Sequence, residues 1–431
     1  MNDSLRPGKK RRWYQFGLRT LLVLILVAGV GLGWLGVKVQ QTRKHRAAVA
    51  KLQESGVTIT FDDDGWAKTI DFPNSELTAD APVLDVAIVP LKDLPKLDEL
   101  TLEQTRITDV GLEHLAGLKN LRVLDLSAGF DQDLVFPDIT DAGLAHLRDL
   151  TDLKELNLAN TRVSDAGLEH LKGLTNLTQL NLEHGFDRLD ALRVIEDGSV
   201  RLKPISDPDA TMFIGGGMVR LKPTSDYPEG ATVPFDELTD LEQITCAGLV
   251  HLRALTNLQS LNLSRTEVRE AGLVCLKKMT DLRELDLGAT QLTDGGLEHL
   301  QRLTKLEKLR LGGTHVGDAG LVYLKAMTTL EELGLGHTKV TDGGLEHLQG
   351  LTALLHLDLQ QTAITGQGFE HLKGLPHLRI VDLTKTQIAD TGLKSLEELA
   401  NLRVLILTGT QVTDKGVKEF QRALPNCKIF H

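Results

Sequence analysis

Histidine is the residue type with catalytic and metal-binding potential that recurs most regularly along the chain. Seven copies occupy equivalent places in a repeated pattern, at His114, His146, His170, His251, His299, His347 and His371. Adjacent packed helices lie about 10 Å apart, whereas imidazoles that share one zinc ion each lie about 2 Å from it. The pattern therefore predicts a solvated convex face and no metal site.

The other residues with chemical potential also lack the spacing that a site requires. The three cysteines (Cys246, Cys275 and Cys427) contain no Cys-x-x-Cys pair, which argues against a disulfide framework and a cysteine-based metal site. The acidic run 62–65 lacks the alternate spacing of a calcium loop and indicates a turn. The glycines 215–217 are not followed by the Gly-Lys-Ser/Thr of a phosphate loop. We predict no catalytic site and no cofactor.

These residues are embedded in a 24-residue repeat with the pattern LxxLxLxxTxhTDxGLxxLxxLxx, in which h is apolar. The LxL segment alternates like a half-buried strand, whereas GLxxLxxL places leucines on one face of a helix. Neither half can bury its leucines alone, so the copies must stack, with their strands in one parallel sheet and their helices outside it. Residues 67–96 form an irregular opening copy, and residues 427–431 begin a truncated last one. Eleven copies begin at Leu97, Leu121, Leu153, Leu177, Leu258, Leu282, Leu306, Leu330, Leu354, Leu378 and Leu402.

Structural roles also explain the regular spacing of the polar residues within the repeat. Threonine three residues after the last strand leucine can satisfy backbone groups where the strand turns away. Thr-Asp before the helix supplies an N-cap and an acid at the positive helix end, as at Thr108, Thr293, Thr341 and Thr413. Glycine two residues after the Asp should permit close approach of adjacent backbones. The nine threonines are Thr105, Thr161, Thr266, Thr290, Thr314, Thr338, Thr362, Thr386 and Thr410.

This repeat resembles the leucine-rich repeat family, in particular its ribonuclease-inhibitor-like and F-box-associated subtypes, in which threonine, asparagine or cysteine precedes an ITDxGL motif. The resemblance covers residues 67–431 and implies an α/β solenoid with a curved parallel sheet inside and helices outside, whose concave sheet binds proteins. The basic tail with GLRTLLVLILVAGVGLGWL is similar to the anchors of bacterial membrane leucine-rich repeat proteins. No F-box precedes the repeats, which argues against a role as a ubiquitin-ligase adaptor.

An uncharged apolar run at residues 20–37 would form about 27 Å of helix, enough to span a bilayer. We predict a basic cytoplasmic tail at 1–15, a single transmembrane anchor at 16–37, and a juxtamembrane helix or linker at 38–56, before a solenoid at 57–431. A cleaved signal peptide is the alternative, although no clear Ala-x-Ala site follows the run. The tight tail and the large following body favour a cytoplasmic N-terminus and an extracytoplasmic body.

Charge is distributed unevenly along the chain, whose formal net charge is −11. The first 51 residues contain eleven Lys/Arg and one acid, Asp3, so the remainder is strongly acidic. A basic tail is typical of proteins at nucleic-acid or membrane surfaces, whereas an acidic body is repelled by phosphates. With the apolar run beside it, the tail predicts a membrane partner and no nucleic-acid partner.

Strand residues that flank the buried leucines should face the concave side of the sheet. Most are polar or acidic, but the face becomes apolar at its C-terminal end, where Ile380, Val404 and Ile406 cluster. This strip suits a protein partner with a basic or amide-rich surface, while a simply solvated face is the alternative. The central column comprises Thr101, Asp125, Asn157, Asn181, Asn262, Asp286, Arg310, Gly334, Asp358, Asp382 and Ile406.

Two copies, those that begin at Leu121 and Leu177, carry insertions near 128–138 and 185–240. Because the insertion point is equivalent, both loops should leave the same edge of the solenoid and form a binding surface there. Two similar segments in the longer loop, beginning at Gly198 and Gly217, predict a hairpin-like flap; a tolerated surface loop is the alternative. Candidate contact residues are Phe130, Phe186, Arg201, Lys203, Arg220 and Lys222.

Together these features predict a membrane-tethered module that binds a protein through its concave face and edge loops, by association and not by turnover. A passive envelope protein that associates with itself is one alternative. Two others are an enzyme sited in the 185–240 insertion and a ubiquitin-ligase-type substrate adaptor that lacks its F-box.

Overall fold

The computed structural model describes residues 18–72, 84–127, 139–184 and 244–431, and the backbone of five short strands between residues 192 and 234. The side chains of residues 18–21, 24 and 28 lie outside this description. The predicted contact residues Phe130, Phe186, Lys203 and Lys222 lie outside it as well.

One short strand recurs in each repeat copy. Its central residue is a buried leucine or valine, and its two neighbours point to the opposite face, as the period of two requires. The strands are β1 (Thr58–Phe61), β2 (Ala67–Asp71), β3 (Glu99–Thr101), β4 (Val123–Asp125), β5 (Glu155–Asn157), β6 (Gln179–Asn181), β7 (Leu192–Val194), β8 (Ser199–Leu202), β9 (Thr211–Ile214), β10 (Gly217–Arg220), β11 (Thr232–Pro234), β12 (Ser260–Asn262), β13 (Glu284–Asp286), β14 (Lys308–Arg310), β15 (Glu332–Gly334), β16 (His356–Asp358), β17 (Ile380–Asp382), β18 (Val404–Ile406) and β19 (Lys428–Phe430).

Fourteen of the described strands form one sheet, in the order β1-β2-β3-β4-β5-β6-β12-β13-β14-β15-β16-β17-β18-β19. From β2 onward every pairing is parallel and in register; for example, Leu261 lies between Leu180 and Leu285. The predicted parallel solenoid is therefore confirmed. The exception is β1, which pairs antiparallel with β2 across the acidic turn 62–65, so a hairpin precedes the first repeat.

The helical half of each copy is short. Leucines three residues apart, such as Leu112, Leu115 and Leu118, all lie fully buried, and the three-residue period of a 3₁₀-helix keeps them on one face. The α-helices are α1 (Leu18–Glu54), α2 (Asp109–Leu112), α3 (Asp141–Leu144), α4 (Asp165–Leu171), α5 (Leu249–Leu252), α6 (Glu270–Leu273), α7 (Asp294–Leu297), α8 (Asp318–Leu321), α9 (Asp390–Leu393) and α10 (Asp414–Ala423). The 3₁₀-helices are Leu84–Val86, Val89–Asp93, Glu113–Leu115, Val274–Lys278, Glu298–Leu300, Val322–Leu324, Asp342–Leu348, Gln367–Gly374 and Lys394–Leu396.

A single apolar core runs between the sheet and the helices, and it extends from Ala48 to Cys427. Full burial of one leucine side chain stabilises a fold by about 2 kcal/mol. Because each copy buries its leucines against the next one, this stabilisation depends on stacking and is absent from an isolated copy.

The recurrent threonines satisfy the backbone at the end of each strand, as predicted. The Thr314 hydroxyl donates to the Leu311 carbonyl at 2.6 Å, and the Thr314 side chain is buried. The same bond forms at all nine predicted positions, Thr105, Thr161, Thr266, Thr290, Thr314, Thr338, Thr362, Thr386 and Thr410.

The Thr-Asp pairs also connect neighbouring copies. Asp318 accepts the backbone N–H of Thr341 at 2.7 Å and its hydroxyl at 2.6 Å. Thr341 in turn caps the next helix by accepting the N–H of Gly343. The predicted cap is absent at Thr293, whose hydroxyl instead donates to Glu270. The same two bonds join Asp85 to Thr108, Asp109 to Thr140, Asp141 to Ser164, Asp165 to Thr245 and Asp390 to Thr413.

In most copies the glycine makes room for this carboxylate. A Cβ added to Gly344 would lie 2.5 Å from Oδ1 of Asp318, so no larger residue fits without displacing the carboxylate. At Gly111 and Gly167 a Cβ would likewise meet a carboxylate of the preceding copy. At Gly272 it would instead meet Leu249 and Cys246, and at Gly296 the Leu292 side chain. The predicted close approach is therefore mostly between a glycine and a side chain.

Residues 38–54 are helical, as predicted, but they belong to α1 and pack on the first repeat. Ala48 and Leu52 are buried in the common core. The buried His45 ring accepts the N–H of Ala67 through Nε2 at 2.9 Å. This half of α1 therefore covers the N-terminal end of the solenoid instead of linking it loosely.

No helix formed by the described residues is both long enough and apolar enough to cross a membrane. The predicted transmembrane anchor at 16–37 is therefore not supported by the structure.

Candidate functional site

The in-register pairing brings the predicted central column together on the concave face. Asp125, Asn157 and Asn181 are Cα partners on β4, β5 and β6, and the column continues through Asn262 and Asp286 on β12 and β13. Neighbouring strands lie about 4.8 Å apart, so consecutive residues of the column lie side by side. Arg310, Gly334, Asp358, Asp382 and Ile406 complete the column on β14 to β18.

These Asp and Asn side chains also end their strands. Asp286 Oδ1 accepts the backbone N–H of Gly288, two residues later, at 2.8 Å. Asn262 accepts the N–H of Ser264 in the same way at 2.9 Å. Such turns fix the side chain's orientation and explain why Asp and Asn recur here. The same bond is made by Asp125, Asn157, Asn181, Asp358 and Asp382. The column therefore has a structural role that the sequence reasoning missed.

A groove of about 360 Å³ lies over β4, β5, β6, β12, β13 and β14. Its floor is rich in amides, with Asn157 donating to Asp125 Oδ2 at 3.0 Å. Gln179 on β6 and Ser260 on β12 face the groove as well. Polar groups fixed in this way can donate to and accept from a polypeptide partner without first being ordered.

The first residue of each strand also faces the groove, and sequence reasoning had left this column out of the predicted site. Glu155, Gln179, Ser260 and Glu284 line it on four adjacent strands. Both neighbours of a buried strand residue point to the same face, so the alternation E-L-N or E-L-D in the sequence indicates that the first residue of the strand also faces the groove.

Charged residues near the middle of the face neutralise one another. Arg310 lies 2.8 Å from Glu332 and 3.8 Å from Asp286. Lys308 is paired with Glu284. Burial raises the pKa of Asp286, while the nearby Arg310 guanidinium lowers it.

The C-terminal end of the face is apolar, as predicted. Ile380 and Val404 are Cα partners, as are Ile406 and Phe430. The Phe430 ring is 43% exposed, with Lys428 Nζ 4.5 Å from its centroid. Sequence reasoning missed Phe430 because it lies in the truncated last copy.

Both insertions leave the solenoid beside the groove, one between β4 and β5 and the other between β6 and β12. Arg201 lies in β8, which pairs with β7 and β11, whereas Arg220 lies in β10, which pairs with β9. The described strands of the two similar segments, β8 and β10, therefore do not pair with each other, and the predicted hairpin between these strands is wrong.

His184 lies where the longer insertion begins. Its side chain is only 5% exposed, and Nε2 has no hydrogen-bond partner among the described residues. Burial lowers the pKa of His184 to about 4, so the ring is neutral at pH 7.

The repeated convex histidines are half-buried and less solvated than predicted. Among the described residues, no group of three His, Cys, Asp or Glu side chains is placed to hold a metal ion.

Comparisons with known proteins match parts of the repeat array. A family profile described as Leucine Rich repeat matches residues 149–172, 278–300, 302–325, 374–396 and 398–420. No curated protein matches the sequence.

Solved structures are similar to this chain at low sequence identity, and one of them, with a TM-score above 0.5, shares its fold. An internalin (InlF) of Listeria monocytogenes has a TM-score of 0.55 and 20% identity, covering 84% of this chain and 86% of that chain. An internalin C2 of the same organism gives 0.40 and 20%, covering 72% and 96%. A plant peptide hormone receptor, RGFR1, in complex with RGF2 gives 0.44 and 16%, covering 78% and 44%.

Proposed function

We propose that this leucine-rich repeat protein binds a protein partner in the concave groove over β4, β5, β6, β12, β13 and β14. The observation that carries the proposal is the coincidence of three features: the amide-rich groove, the base of the shorter insertion and the base of the longer one. Binding residues commonly lie in loops that a rigid scaffold positions.

The groove is suited to association rather than to chemistry. Its polar side chains are held by backbone bonds, such as that from Ser264 N–H to Asn262. Preorganised groups lose little conformational entropy on binding. Because the amides and carboxylates of the groove floor are already held by backbone bonds and ion pairs, we propose a binding protein and not an enzyme.

We also propose that the first half of α1 attaches the protein to a membrane, with the N-terminus in the cytoplasm and the solenoid outside it. Residues 20–37 carry no charge. Several apolar side chains there are exposed, including Leu26, Val30 and Leu32, and Trp34 is 64% exposed. Trp34 and Lys38, whose Nζ lies 5.2 Å from the ring centroid, are typical of a membrane–water interface. Separation of intact cells into membrane and soluble fractions, followed by protease treatment from outside, tests attachment and orientation.

Site-specific crosslinking in the native envelope tests the binding site. A photoreactive amino acid replaces Gln179, which is exposed on the groove floor, in the full-length chain; the matched control replaces Glu169, which is exposed on α4. We expect a discrete crosslinked protein from position 179 and not from position 169. Equal products from both positions, or none from position 179, would refute the proposal.

A further inference from the structure

We infer that the partner presents an extended segment with two distinct ends, a cationic end that lies over β2 to β5 and an apolar end that lies over β17 to β19. The inference rests on the proposed function and specifies the chemistry of the ligand. It follows from how charge and apolar surface are divided along the unpartnered concave face.

The N-terminal part of the face carries uncompensated carboxylates. Asp71, Glu99, Asp125 and Glu155 lie on β2, β3, β4 and β5, at the strand positions that face the concave side. Neither concave position of β2, β3, β4, β5, β6, β12 or β13 holds a Lys or Arg. Within the described residues, Asp71, Glu99 and Glu155 form no ion pair, and Asp125 accepts hydrogen bonds from neutral groups alone, the Asn157 amide and the N–H and hydroxyl of Ser127. These carboxylates therefore attract a cationic partner.

The middle of the face offers little net charge to a ligand. Lys308 is paired with Glu284, and Arg310 with Glu332 and Asp286. A charged group of the ligand would have to break existing pairs here, so the middle favours neutral polar residues. The partner's cations are thereby directed to the N-terminal part.

The C-terminal part attracts apolar side chains. Ile380, Val404 and Ile406 are half-buried on adjacent strands, and Phe430 beside them is exposed. Covering these groups removes apolar surface from water and stabilises a complex. The charged concave residues of β17 to β19 are Asp382, which accepts the N–H of Thr384, and Lys428, whose Nζ lies over the Phe430 ring, so the apolar groups of β18 lie between them.

The separation of the two parts defines the length of the segment. From β4 to β18 the sheet order contains nine strand steps, which amount to about 43 Å at about 4.8 Å per step. An extended chain covers this distance with about 13 residues. A helix would need about 29 residues, because it rises only about 1.5 Å per residue.

Binding of designed peptides to the full-length protein tests the inference. The probe carries four Lys/Arg, a nine-residue Gly/Ser spacer and a Leu-Phe-Leu end, with a fluorescent label; two controls keep only the cationic or only the apolar end. We expect the two-ended probe to bind at least about tenfold more tightly than either control, and its affinity to fall as salt screens the carboxylates. Equal affinities for all three peptides would refute the inference.

Variants of the protein locate each end of the probe. Glu99→Gln with Glu155→Gln should weaken binding about fivefold and reduce its salt dependence. Ile406→Thr with Phe430→Ser should weaken it at constant salt dependence. The matched control, Glu113→Gln on the convex side, should change neither quantity. Unchanged binding by the Glu99/Glu155 variant would refute the cationic end even if the apolar variant failed to fold.

The outcome is separable from that of the envelope crosslinking. A protein captured through position 179, together with no preference for the two-ended probe, would sustain the proposed function and overturn this inference. If no protein is captured through position 179 and the two-ended probe shows no preference, both the proposed function and this inference are overturned.

Discussion

Asp286 shows how single side chains on the concave face serve both folding and recognition. One carboxylate oxygen accepts the Gly288 N–H at 2.8 Å, while the other lies 3.8 Å from Arg310. Burial raises the pKa of this carboxyl, so its charge depends on the neighbours that remain after a partner binds. A residue type that recurs for structural reasons can thus still present one free lone pair to a ligand.

His184 provides a residue-scale test of burial. Its pKa is lowered from 6.5 to about 4, so the native state binds fewer protons than the unfolded chain between these values. The free energy of unfolding should therefore fall with pH below 6.5, by about 3 kcal/mol at pH 4. Urea denaturation of the variant His184→Gln should show a free energy of unfolding that falls by about 3 kcal/mol less than that of the unmodified protein over the same pH range. If both proteins lose stability equally, His184 is not buried as described.

The glycine that faces Asp318 provides a second test. Gly344→Ala must displace the carboxylate that accepts two hydrogen bonds from Thr341, so we expect a loss of about 2–4 kcal/mol in the free energy of unfolding. Gly374→Ala is the matched control, because no atom lies within 4 Å of the added Cβ. Thermal denaturation should separate the two variants; equal melting temperatures would contradict the steric argument.

Sequence reasoning at this scale depends on whether a role restricts the residue type. The nine threonines were predictable because only a short hydroxyl side chain reaches the carbonyl three residues earlier. The residue immediately before the threonine has a positive φ in most described copies, yet it is arginine at 265, alanine at 289 and lysine at 385. Because this conformation is imposed by the surrounding repeat and not by residue type, the sequence gives no signal for it.

At the scale of elements, α1 combines two halves with different surroundings. His45, Ala48 and Leu52 lie on one helical face and are buried against the first repeat, whereas the apolar side chains before residue 38 are exposed. The spacing of these three residues is present in the sequence, but charged residues among them obscure the apolar face; these are Arg43, Lys44, Arg46 and Lys51. The helical leucine spacing, by contrast, indicated a helix correctly, although period three favours 3₁₀ turns. The ribonuclease-inhibitor-like or F-box-associated subtype stays a prediction.

Docking of α1 should depend on pH through His45. Burial lowers its pKa, as do Arg46 and Lys96, while Asp62 opposes them. A protonated ring cannot accept the Ala67 N–H, so docking should weaken as pH falls below 6.5. Hydrogen exchange of the Ala67 amide should accelerate, after correction for the intrinsic pH dependence of exchange.

The matched variant His45→Gln keeps a side-chain acceptor and removes the titration. Its corrected Ala67 exchange should change little between pH 7 and pH 5. A similar acceleration in both proteins would show that another group controls docking.

At the scale of the whole molecule, stacking decides what the sequence can predict. Every parallel pair repeats one register, so a single 24-residue pattern predicted the order and direction of the parallel strands, β2 to β6 and β12 to β19. The pairing of the two similar segments in the longer insertion was not predictable, because they lie outside the repeat and no periodic core fixes their register. The groove became visible only when adjacent strands were placed side by side, since its lining comes from residues far apart in sequence.

Removal of the longer insertion tests directly whether the repeat array folds without it. The pairing of β6 with β12 has the same register as that of β5 with β6, as if the insertion were absent. Replacing residues 185–243 by Thr-Arg, the pair found at Thr161 and Arg162, would restore the regular period. Because the core contacts of both neighbouring copies are retained, we expect one cooperative thermal transition, shifted by at most a few degrees.

The variant without the longer insertion also separates an effect on folding from an effect on partner binding. Replacing residues 129–138 by Thr-Arg provides a matched second variant, since it restores the period of the other irregular copy. If the insertions contribute to the partner site, each variant should keep its circular dichroism spectrum while losing crosslinking through position 179. An unfolded or two-transition product would instead show that the insertion belongs to the core, because a surface loop can be removed without exposing the leucines that hold β6 against β12.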